Sequence, residues 1–81
     1  MKNISLYFKE GSSDKEYHIQ LIPMEKGFVV NFQYGRVGNT LTPGTKTPIA
    51  VSEAEADKVY NKLVKEKMGK GYQPLEGSIK K

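Results

Sequence analysis

One stretch of this chain, Ser52 to Gly71, repeats its apolar residues at helical spacing, whereas the segments before it alternate apolar with polar residues. A lone amphipathic helix and a set of one-faced strands each need cover for an apolar side, and they supply it to each other. The helix signal is marked at both ends. Ser52-Glu53-Ala54-Glu55 fits a capping box, with serine at the N-cap and glutamate at N3. Ala56, Val59, Tyr60, Leu63, Val64 and Met68 form the apolar stripe. Glu53, Glu55 and Asp57 lie in the first turns and Lys62, Lys65, Lys67 and Lys70 in the last, which matches the helix dipole. Gly69 or Gly71 can supply the left-handed position after the helix.

Three strands are expected ahead of it. Asn3 to Lys9 places Ile4, Leu6 and Phe8 on one face. Gly11-Ser12-Ser13-Asp14 is turn chemistry, and the second strand runs from Glu16 to Ile22, with Tyr17, Ile19 and Leu21 alternating with His18 and Gln20. Pro23 is expected to end it, because proline cannot donate to a ladder. After a turn at Glu25-Lys26-Gly27 the third strand, Phe28 to Tyr34, carries Phe28, Val30, Phe32 and Tyr34 on one parity. Gly35 to Ala50 reads as a long loop or bent hairpin rich in glycine, proline and threonine, with a short strand returning near Pro48 to Val51. The expected architecture is α+β: a small antiparallel β-sheet of three to five strands packed against one C-terminal α-helix. It forms one domain over residues 3–74, followed by a flexible tail at 75–81.

An 81-residue chain is enough for one modest core, removing roughly 8,300 Å² from water on folding. With no cysteine and one histidine, disulfides, thiolate metal sites and a cysteine–histidine pair are excluded. A serine-based catalytic arrangement would need His18 beside Ser5, Ser12, Ser13, Ser52 or Ser78, and no nucleophile-elbow spacing is present. No apolar run approaches the ~18 residues of a membrane span, and the N-terminal residues lack a signal-peptide apolar region. The expectation is therefore a non-enzymatic, cytoplasmic chain with no cofactor.

The net charge of +4 is unevenly placed: residues 58–81 carry seven basic and two acidic side chains, residues 1–57 six and seven. Helix-dipole matching accounts for the lysine-rich end. More informative is the run from Lys26 to Ser52, which contains no acid but holds Lys26, Arg36 and Lys46. Tyr34 stands two residues before Arg36, the only arginine. Such a ring and guanidinium either pack on the sheet and pair with an acid, or stack on a nucleotide and hold its phosphate. Gly35-Arg36-Val37-Gly38 lacks the third glycine of a dinucleotide fingerprint and the Gly-Lys-Ser/Thr of a P-loop, so it marks a bend leaving the strand as readily as a phosphate cradle.

Three blocks, in order and spacing, resemble the WGR domain: Asp14-Lys15-Glu16-Tyr17-His18-Ile19-Gln20-Leu21, Tyr34-Gly35-Arg36-Val37-Gly38, and Lys62-Leu63-Val64-Lys65-Glu66-Lys67 to Gly71-Tyr72. That domain occurs in the poly(ADP-ribose) polymerases activated by DNA breaks and as a module in bacterial proteins. The resemblance covers about residues 3–74. It implies binding to DNA ends, with Tyr34 packing on the terminal nucleotide's sugar, Arg36 in the arginine role and Lys15 near a phosphate. Lys46 would add positive field from the loop. Tyrosine stands here where the motif has tryptophan. The expected partner is DNA, with location at the nucleoid or nucleus following from it; the other reading is docking onto another protein or another domain of a parent chain. No membrane or small-molecule cofactor is expected.

Overall fold

The computed structural model describes residues 2–74; the tail expected at 75–81 lies outside them. Five strands and one helix follow in the order β1 (Lys2–Glu10), β2 (Ser13–Met24), β3 (Gly27–Arg36), β4 (Thr42–Thr45), α1 (Glu53–Gly69) and β5 (Gln73–Pro74). The strands form a single sheet in the order β4-β3-β2-β1-β5, and every pairing is antiparallel. This is the small α+β fold expected from the sequence.

The alternation dictates which face is dry. Leu6, Tyr17, Ile19, Leu21 and Val30 of the sheet meet Ala56, Tyr60 and Leu63 of α1 to form the buried core. Ile4, Phe28, Phe32, Val51, Val59, Val64 and Tyr72 pack around it. The β1–β2 hairpin closes through two residues, with Gly11 at φ +60°, the left-handed geometry that type II′ hairpin turns place at their first position. Ser13 and Asp14, expected in this turn, are already paired in β2.

Pro23 does not end β2: it pairs with Phe28, and the strand continues to Met24. The Phe28 N–H and carbonyl both bond Val51 (2.7 and 2.8 Å), so they point away from β2 and nothing across the Pro23 pair needs a donor. On its other side Pro23 lies beyond the end of β1, whose pairing stops at Lys2 opposite Leu21. Those same Phe28–Val51 bonds are all that forms of the strand expected near Pro48 to Val51.

The strand that does return is earlier, at Thr42–Thr45, where Thr-Pro-Gly-Thr carries no apolar alternation. As an edge strand it tolerates Pro43. Gly44 sits under the Phe32 ring, where an added Cβ would lie 2.4 Å from that ring. Beyond β4, side chains continue the ladder: Thr47 Oγ1 accepts from the Val30 N–H (2.9 Å), while Lys46 N–H and Thr45 Oγ1 donate to the Val30 carbonyl (2.9 and 3.2 Å). Thr47 is the one polar residue buried in the core region among the described residues.

Helix α1 begins as expected. Ser52 Oγ accepts from the Glu55 N–H at 3.2 Å. At the other end the Tyr72 N–H reaches the Lys67 carbonyl and the Gly71 N–H the Met68 carbonyl, both at 3.1 Å, with Gly71 at φ +106°. That paired pattern is a Schellman motif and assigns the left-handed position to Gly71. Met68, expected on the apolar stripe, is 40 % exposed. The inward position one turn past Leu63 is Lys67 instead.

Candidate functional site

Across the helix-facing side of the sheet, side chains fall into rows set by register. Phe8, Lys15 and Arg36 are paired in one row, and Leu6, Tyr17 and Tyr34 in the next. Lys15 and Arg36 thus stand directly opposite each other, an arrangement of like charges that destabilises a sheet unless something anionic relieves it. The buried helix residues end at Leu63; Leu6 and Tyr17 still lie in the core, while Lys15, Arg36 and Tyr34 stand past the helix cover and are exposed.

The result is a cavity of about 560 Å³ lined by Lys15, Tyr17, Phe32, Tyr34, Gly35, Arg36, Lys67 and Tyr72. Among the described residues, no carboxylate lines it. Its floor is aromatic: Tyr17 stacks on Phe32 and on Tyr34 with ring centroids 5.5 and 5.7 Å apart, and the Tyr72 ring meets Tyr17 edge-on at 5.9 Å. Tyr34 is 42 % exposed. Its ring packs on Tyr17 and, with centroids 6.0 Å apart, on Phe32, and the exposed part is open to a ligand. The Lys67 ammonium sits 4.7 Å from the Tyr17 ring centroid, in cation–π contact rather than an ion pair.

The two ways of reading Tyr34 and Arg36 are resolved in part by this geometry. Tyr34 does pack on the sheet, yet keeps an open side. Arg36 makes no ion pair with any described residue. Tyr17 is buried, and that burial first, then the negative charge of Glu66, pushes its phenol up to about 12. The hydroxyl therefore stays neutral at ordinary pH and can serve as a hydrogen-bond donor. Gly35 closes against the Leu41 side chain, 3.2 Å from where a Cβ would stand, bringing the chain past the site's edge.

Of the four residues singled out by sequence, Lys15, Tyr34 and Arg36 meet in this cavity and Lys46 does not. The Lys46 ammonium lies 5.9 Å from the Phe32 ring centroid and borders a separate hollow of about 270 Å³ with Val59, Lys62, Leu63 and Glu66. Two residues that sequence reasoning passed over belong to the site. Lys67 is four residues after Leu63 and seven after Tyr60, so its stripe position was a readable signal. Tyr72 is placed by the Schellman turn, with its ring 5.5 Å from Phe8.

On the opposite face of the sheet His18 does lie beside one of the serines named from the sequence, Ser5. Ser5 Oγ is 2.8 Å from His18 Nδ1, and His18 Nε2 is 2.7 Å from Glu16 Oε1. Register explains the trio: Ser5 pairs with His18 across β1–β2, and Glu16 is two residues along on the same face. The serine is mid-strand, and the alternation of the ladder commits the Leu6 and His18 N–H groups nearest to it. The trio therefore satisfies its own polar groups on a half-wet face, without the converging donors an acyl-transfer site needs. Among the described residues, no group of three or more histidine, aspartate or glutamate side chains is placed to hold a metal. No helix there is long and apolar enough to cross a membrane.

The family model of the WGR domain matches residues 3–78 of the chain. No curated protein and no solved structure matches it.

Proposed function

The chain belongs to the WGR domain family, a family of small nucleic-acid-binding modules that are not catalytic by themselves, and from that premise we propose that it binds the ends of DNA strands through the cavity between β2, β3 and the end of α1. Tyr34 stacks on the terminal nucleotide. Arg36 and Lys15 hold its phosphate, and Lys67 adds a third cation from the helix side. Binding of this kind places the chain where DNA is, at the nucleoid or in the nucleus of its cell.

The observation that carries this reading is the Lys15–Arg36 pair, opposed across β2 and β3 above an aromatic floor in a cavity that no carboxylate among the described residues lines. Two facing cations without an acid make a weak structural element and a good phosphate clamp. Arginine presents a planar fork to two phosphate oxygens, while lysine adds a point charge. An exposed ring edge beside them suits a sugar or base, which stacks without regard to sequence.

The test is fluorescence anisotropy of a labelled blunt duplex against the wild-type chain and Arg36→Ala. Losing one charge-assisted contact of about 1.5–3 kcal/mol predicts a drop in affinity of roughly tenfold or more. The slope of log affinity against log salt should shrink by about 0.9, one phosphate contact. Unchanged affinity and slope would remove the arginine from the site. Lost binding to a protein partner, with DNA binding intact, would favour docking instead.

A further inference from the structure

A second hollow adjoins the first. Phe8, Lys15, Lys67, Lys70 and Tyr72 line a space of about 300 Å³ that shares Lys15, Lys67 and Tyr72 with the larger cavity. Among the described residues it too has no carboxylate on its walls. Two of its three lysines are turned toward rings: the Lys15 ammonium is 5.6 Å from the Phe8 ring centroid, and Lys67 is the lysine over Tyr17. None of Lys15, Lys67 or Lys70 makes an ion pair with a described residue. A helix C-terminus would ordinarily repel an anion. Here the Lys67 and Met68 carbonyls that carry that partial charge are bonded to the N–H groups of Lys70, Tyr72 and Gly71. The lysine side chains are thereby left to set the local sign.

Resting on the reading of the larger cavity as a nucleotide site, we propose that this second hollow is an anion subsite for the next phosphodiester along the strand. Lys15 stands between the two spaces and serves both. Lys70, which borders only the second, is its distinguishing residue. The ligand is then a strand of at least two nucleotides, with one phosphate at Arg36 and Lys15 and the following one between Lys67 and Lys70. A mononucleotide fills only half of the site. The Phe8 and Tyr72 rings, 5.5 Å apart and tilted by 39°, give the linking sugar an apolar wall.

Isothermal titration with thymidine 5′-monophosphate, its 5′-phosphorylated dinucleotide and its trinucleotide tests this in the wild-type chain, in Lys70→Ala and in Lys70→Glu. The expected result is a gain of about tenfold from one nucleotide to two, and little further gain from two to three. Lys70→Ala should remove most of that gain and Lys70→Glu should reverse it, with monophosphate binding unaltered in both. Lys70 is exposed and caps the helix only through its backbone, so both variants should fold. Equal affinity for one and two nucleotides, or an equal loss for all three ligands in Lys70→Ala, would overturn the second subsite while leaving the first intact. No binding of any of the three, nor of duplex DNA, would remove both.

Discussion

Lys15 and Arg36 illustrate how a single register decides what a residue means. Set opposite each other on β2 and β3, they repel by an amount on the order of 0.2–1 kcal/mol in the free chain. Lys15→Ala should therefore leave stability to urea unchanged or raise it by a few tenths of a kcal/mol, while DNA affinity falls. A binding residue and a structural residue part company in that experiment. Thr47 is the reverse case. Its hydroxyl is the partner of the Val30 N–H, and Val30 is fully buried. Thr47→Val keeps the shape and orphans that donor, at a cost of about 1–3 kcal/mol in urea unfolding. Sequence could expose the first pair only partly, because Arg36 was visible as a lone guanidinium after an aromatic whereas its facing partner depends on register. Lys67 was legible and was absorbed into a dipole argument that was sufficient but incomplete. The role of Thr47 was not legible, since a threonine among four in a loop has no mark of which one turns inward.

Elements were read from periodicity, and they stood where periodicity was present. The three long strands and α1 have apolar residues at spacing two or near four, and their cores packed accordingly. Strand β4 escaped because Thr-Pro-Gly-Thr has no such pattern; what defines it is the fit of Phe32 over Gly44. Gly44→Ala drives a methyl into that ring, and the overpacking should cost about 1–3 kcal/mol on chemical denaturation. The end of α1 is the element that shapes the candidate site, since the Schellman turn at Gly71 delivers Tyr72 to the cavity wall. Gly71 is at φ +106° and an added Cβ would be 2.8 Å from the Phe8 ring. Gly71→Ala should accordingly destabilise the chain by at least about 1 kcal/mol. It should also weaken nucleotide binding, a pair of losses that Ser52→Ala, at the far end of the helix, should not share: about 1 kcal/mol of stability, with affinity retained.

The whole molecule is flat, 42 × 31 × 19 Å, and one helix does not cover one face of a five-stranded sheet. The uncovered end of that face is the cavity, so the proposed site is a consequence of the helix's length and of where its stripe changes from Leu63 to Lys67. Titration acts on this whole unit at high pH. Tyr17 is pushed up to about 12, Tyr60 is raised by burial, and Lys2 is raised by its 2.8 Å hydrogen bond to Asp57. In each the protonated form is favoured by folding, so their contribution is complete below the ordinary values near 10 and is lost as pH climbs past them. The melting temperature, measured against pH, should therefore hold to about pH 9 and fall between 10.0 and about 12. One titration decides whether the chain binds at DNA ends. Affinity for a blunt duplex with 5′-phosphates is compared with that for a covalently closed circle over a range of salt. End binding should give at least about tenfold tighter binding to the linear duplex per equal mass of DNA, with a salt slope of about −2 to −4. Equal binding to circle and linear duplex, or none to either at ~50 mM salt, would contradict it.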